Sequence, residues 1–138
     1  MEIIIKIDDA ELERRSELEQ DDDREYLSMY AKWFNEKCPA WTNYSEFNRE
    51  FLKQQQFHAN ELLKRRGYVF LNEVYDMLGI PRTKAGQVVG WVYDMTNPMG
   101  DNYIDFDIFS QRNEDFVNGY ENSVLLDFNV DGMILDRI

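Results

Sequence analysis

The run "MEIIIKI" opens the chain with β-branched residues and predicts a short strand in the core or at a sheet edge. Asp8 or Asp9 is then placed to cap a helix starting near Ala10, with further acids in its first turn. Leu12 and Leu18 are the only apolar side chains of any size from Asp8 through Glu25, so this helix has little to bury and is expected to break around "QDDDRE". Next, Leu27, Tyr30, Ala31, Phe34 and Cys38 recur at helical spacing and predict a second helix that ends near Pro39. A long helix is expected after Ser45 as N-cap, with Phe47, Phe51, Leu52, Ala59, Leu62 and Leu63 turned inward. Lys64, Arg65 and Arg66 suit its negative end, and Gly67 suits the left-handed position just beyond it.

The second half reads as shorter elements. "YVF" predicts a small strand, Asn72 a cap for a two-turn helix through Leu78, and "GIP" a break. "TKAGQVVGW" predicts another short helix capped by Thr83, against the cost of its glycines. In "YIDFDIF", Ile104, Phe106 and Ile108 alternate with Asp105 and Asp107, as in a strand with one wet face. Asp131-Gly132, between "VLLDFNV" and "MILDRI", signals a two-residue hairpin. In that register Phe128 faces Leu135 and Asp127 faces Asp136, with Leu126, Phe128, Val130, Met133 and Leu135 on the packed side. The pattern predicts an α+β protein in which N-terminal helices precede a small mixed unit ending in an antiparallel β-hairpin. Residues 1–66 hold the short strand and the acidic and amphipathic helices; residues 67–138 hold the mixed short-helix and antiparallel-sheet unit.

Charge changes this picture more than composition does. Twenty-seven acids stand against 15 Lys and Arg, for a net charge of -12. That balance repels phosphate backbones, disfavours direct nucleic-acid binding and favours a basic partner. The apolar fraction of 43% with 14% aromatics supplies enough material for one packed core, so this is not a disordered acidic chain. One cysteine and one histidine form no zinc spacing and no intrachain disulfide. With no signal-like or membrane-length apolar run, a cytoplasmic protein without membrane attachment is expected.

Three readings of the C-terminal carboxylates are open. They are a solvated sheet face, a calcium site, or a surface shaped for a basic protein. "DFNVDGMILD" does not lead to the closing glutamate of a twelve-residue calcium loop and is apolar and strand-like, so no metal or other cofactor is expected. A solvated face is the default for a half-buried sheet, and the ten acids against two arginines in residues 92–138 make a protein surface the sharper alternative. Its candidate partner-binding residues are Asp21, Asp22, Asp23, Glu25, Asp105, Asp107, Asp127 and Asp136. Trp33, Trp41 and Tyr44 are candidate apolar anchors.

"LNEVYDMLGIPRTKAGQVVGW" has the outline of a helix-turn-helix, with Arg82, Lys84 and Gln87 at the start of its second helix as the DNA-binding alternative. Its interior glycines favour a compact hairpin packed on Val88, Val89 and Trp91. Catalysis has little to stand on: His58 reads as half-buried, Cys38 as core, and no motif supplies a nucleophile or base, so no enzyme is expected.

The wording "LGIPRTKAG", "GW" and "LLDFNVDG", within roughly residues 67 to 134, resembles a family of small, mostly uncharacterised proteins encoded by phages and prophages of low-GC Gram-positive bacteria. That resemblance implies a phage-derived inhibitor of a nucleic-acid-binding host defence protein. Such a protein would be an anti-CRISPR protein, which blocks guide or target DNA binding by a CRISPR effector through its acidic side chains. A helix-turn-helix regulator and a phage structural or assembly protein are the alternatives.

Overall fold

A computed structural model describes residues 27–138 of the chain. The expected N-terminal strand, the acidic helix and the acids Asp21, Asp22, Asp23 and Glu25 lie outside the described residues. The architecture is α+β. In chain order it comprises β1 (Lys32–Phe34), α1 (Ser45–Arg66), β2 (Tyr68–Phe70), α2 (Leu71–Leu78), β3 (Val89–Val92), α3 (Glu114–Val117), β4 (Val124–Leu126) and β5 (Gly132–Met133). Two small antiparallel sheets form: β1 pairs with β4, and β3 lies between β2 and β5.

The long helix α1 forms where its pattern predicts. Leu52, Ala59 and Leu63 are fully buried, and the Gly67 N–H donates to the Leu63 carbonyl from a left-handed φ of 94°. Each fully buried aliphatic or aromatic side chain contributes about 1.5–3 kcal/mol. Ser45 is the first helical residue, and the cap position belongs to Tyr44. Phe47, expected inside, is 59% exposed, because Asn48, Gln56 and Asn60 occupy the inward face beside the leucines.

Residues 27–38 are not a helix. Ser28 is tied to Asp127, and Trp33 and Phe34 pair with Leu125 and Val124. The same side chains turn inward, with Phe34 and Cys38 buried, but a distant strand satisfies their backbone in place of a local helix. A segment this short gains little from helix formation alone, so strand partners decide its state. Asn72 does not cap α2. Its amide bridges the Thr83 N–H and carbonyl at 2.9 Å each, while the Glu73 carboxylate accepts the Phe70 N–H. The helix expected after Thr83 shrinks to a single 3-10 turn, Ala85–Gln87, before β3 begins. Gly90 belongs to that strand because a Cβ there would collide with the Val69 carbonyl oxygen of β2.

The register expected across Asp131-Gly132 does not form. The Asp131 N–H donates to the Gly90 carbonyl, its carboxylate accepts the Val92 N–H, and β5 continues against Val89 and Gly90. Ile134 is therefore buried, whereas Met133 and Leu135 are 59% and 51% exposed. A shift of one residue exchanges the faces of a strand.

Segment 103–108 alternates as predicted, with Ile104, Phe106 and Ile108 buried. It joins neither sheet, and side-chain amides take the place of a strand ladder. Asn60 accepts the Ile104 N–H at 2.7 Å and donates to its carbonyl at 2.9 Å. Gln56 accepts the Phe106 N–H, and Asn129 accepts that of Asp105, each at 2.8 Å. Removing a partner from a buried polar group costs about 1–3 kcal/mol. Asn60→Ala, which strands both Ile104 backbone groups, is expected to lower unfolding free energy in urea by about 2 kcal/mol or more. Exposed Gln54→Ala on the same helix should change it by less than about 0.5 kcal/mol. Gly90→Ala should cost about 3 kcal/mol, because the carbonyl opposite is held in a sheet and cannot yield.

Candidate functional site: an acidic cleft

Asp105, Asp107 and Asp127 line one open cleft of about 370 Å³, together with Ser28, Tyr30, Phe128, Asn129 and Val130. Two elements of the sequence pattern put them there. Alternation in segment 103–108 turns Asp105 outward, and Asp127 follows the last residue of β4. The β1–β4 ladder ends at the Lys32 and Leu126 pair. Beyond it the Asn129 N–H donates to the Asp105 carbonyl, which draws 127–130 toward segment 103–108.

Each carboxylate has a distinct role. Asp127 accepts the Ser28 hydroxyl at 2.7 Å and its N–H at 3.2 Å, anchoring the segment that carries Tyr30. Asp105 accepts the Asp107 N–H at 2.8 Å. Asp107 is held in the left-handed region at φ 64°, which aspartate tolerates better than most residues. Its carboxylate pairs with the Arg112 guanidinium, whose side chain is only 11% exposed. Burial raises the Asp107 pKa above the ordinary aspartate value, and the charges of Asp105 and Asp127 add to that rise; Arg112 opposes it. Tyr75, fully buried, packs edge-on against Phe128 of the cleft lining, its hydroxyl donating to the Tyr30 carbonyl at 2.9 Å. Burial, Tyr30 and Asp127 push that phenol upward, so it stays protonated.

Other predicted site residues lie elsewhere. Asp136 is exposed in the 3-10 turn Leu135–Arg137 and does not line the cleft. It does not face Asp127. Arg82 grips the Asp76 carboxylate through two hydrogen bonds of 3.0 and 2.6 Å, while Lys84 and Gln87 are exposed around the short turn. No recognition helix follows them. His58 is exposed on α1 with its ring against Phe57, in place of the half-buried position expected. Cys38 is buried. Trp41 is half-buried, its indole N–H donating to the Asn122 carbonyl.

Sequence reasoning missed Ser28, Tyr30 and Arg112. Arg112 carries a signal as one of only two basic residues in 92–138; Ser28 and Tyr30 carry none, because the local apolar spacing there is that of a helix. Among the described residues, no group of three or more His, Cys, Asp or Glu side chains is placed to hold a metal ion. None of the described helices is long and apolar enough to cross a membrane.

With its folded-state pKa raised, Asp107 holds more proton in the folded than in the unfolded chain between the ordinary aspartate value and the raised one. Its contribution to stability is therefore present below that window and lost as pH rises through it. A carbon-detected NMR titration should place Asp107 above the ordinary aspartate range, and Asp105→Asn, by removing a neighbouring negative charge, should move it down.

The model of one protein family matches residues 2–138. No curated protein and no solved structure matches the chain. On a match of that extent, the chain belongs to the family of unknown function DUF6353.

Proposed function

We propose that the protein is a non-enzymatic binding module whose acidic cleft receives a basic side chain from a nucleic-acid-handling protein. The convergence of Asp105, Asp107 and Asp127 on one open cleft carries this reading. Only Arg112 among the described basic residues pairs directly with these carboxylates, so excess negative charge is left for an incoming cation. Arginine suits the site better than lysine, because its planar fork engages a carboxylate through two hydrogen bonds and stacks on a ring such as Tyr30. A net charge of -12 steers a basic partner from a distance, and Asp21, Asp22, Asp23, Glu25 and Asp136 add to that field.

In its narrower form the reading makes the protein a phage-derived inhibitor acting in the host cytoplasm. Its target would be a defence protein such as a CRISPR effector, whose guide or target groove it would occupy. The resemblance of residues 67–134 to phage and prophage proteins supports this form, as does the acidic balance.

Affinity capture from a bacterial lysate at low and high salt tests the proposal. A basic nucleic-acid-binding protein should be retained at low salt and released at high salt. The double variant Asp105→Asn/Asp127→Asn, which keeps an acceptor oxygen at each position, should retain about tenfold less. Capture that is indifferent to both changes overturns the reading.

A further inference from the structure

A second concavity of about 720 Å³ shares no lining residue with the acidic cleft. It runs between one side of α1 and residues 93–109. Phe57, Met95, Tyr103 and Phe109 stand around it with 60, 65, 48 and 58% of their surfaces exposed. Eleven large apolar side chains are exposed among the described residues, and four of them converge here. Scattered exposure needs no explanation, whereas a convergent patch marks a surface that another molecule covers.

Charge and shape narrow the occupant. Lys53 and Lys64 line the α1 wall on either side of Phe57, eleven residues apart and therefore roughly 16 Å along the helix axis. Their contacts are exposed pairs with Glu50 at 3.3 Å and Glu61 at 3.8 Å, a class of interaction worth little in water and open to competition by an incoming carboxylate. Asp101, on the opposite wall, is already engaged by the Asn129 amide. Residues 27–91 carry nine basic and six acidic side chains, against two and ten in 92–138, so the α1 wall belongs to the positive part of the described chain. A helix and loops form the walls, with no strand edge to extend by a further strand. Ridges spaced four residues apart on α1 suit a second helix.

We propose that this groove docks an amphipathic helix of a partner protein, its apolar side chains entering among Phe57, Met95, Tyr103 and Phe109 and its acidic flank meeting Lys53 and Lys64. A second copy of the chain fits less well, since molecules of net charge -12 repel one another.

The test titrates the full chain into a fluorescent designed helix about four turns long, with Leu and Phe on one face and glutamates flanking it, and into a twin with lysines in the flanks. The protein's overall charge favours the lysine twin, so tighter binding of the glutamate helix reports the local lysines. Phe57→Ser and Phe109→Ser, both at exposed positions, should each weaken it about tenfold. Lys53→Glu/Lys64→Glu should reverse the preference, with circular dichroism checking that every variant remains folded. No binding, equal binding of the twins, or tighter binding of the lysine twin overturns the proposal. So does a concentration-dependent dimer abolished by Phe109→Ser, which assigns the groove to a second copy, or adsorption to anionic vesicles abolished by Phe57→Ser, which assigns it to a membrane surface.

Discussion

Side-chain amides hold the irregular parts of this protein in place, and most of its architecture depends on them. The strands among the described residues are only two to four residues long, so regular ladders satisfy little of their buried backbone. Asn48, Asn60, Asn72 and Asn113 are buried, and each bonds the backbone of a segment outside its own element. Asn129 does the same from a half-buried position, accepting from the Trp91 indole and the Asp105 N–H while donating to Asp101 and Tyr103. Each such bond left unmade costs about 1–3 kcal/mol, against a total stability of about 5–15 kcal/mol for a domain. A few of them therefore decide whether the loops have one conformation.

That constraint also makes the acidic cleft. Segment 103–108 is clamped from one side by Asn60 and Gln56 of α1 and from the other by Asn129. Its apolar residues are held inward and Asp105 outward, while Asp107 is turned back by its left-handed φ toward Arg112. Asp127 follows the end of a strand that pairs elsewhere, and it completes the cleft because Ser28 binds it. Three like charges stand close together because rigid backbone puts them there; water, Arg112 and hydrogen-bond donors relieve part of the repulsion.

The two concavities differ in the chemistry they offer. One presents carboxylates beside aromatic rings; the other presents exposed apolar side chains bracketed by lysines. Long-range attraction of a basic partner and short-range burial of apolar surface are separable contributions to binding, the first governing encounter and the second residence. Both surfaces use segment 101–109, so the amides that fix it underlie either mode of recognition.

Local periodicity determined α1 with its glycine cap, the small strand at "YVF", the α+β class, and the alternation that buries Ile104, Phe106 and Ile108. These follow from the burial of apolar faces and from the backbone freedom of glycine, both of which are properties of neighbouring residues. The state of residues 27–38, the partners of β4 and β5, and the convergence of Asp105, Asp107 and Asp127 were decided by tertiary structure. Their backbone bonds end on residues far along the chain: Ser28 on Asp127, Phe34 opposite Val124, Asp131 on Gly90. An inward asparagine on a helix looks like an interruption of the apolar stripe until the loop it binds is in place. The sequence by itself set which faces are apolar and how much charge the chain carries, whereas hydrogen-bond satisfaction across long separations chose where those charges meet.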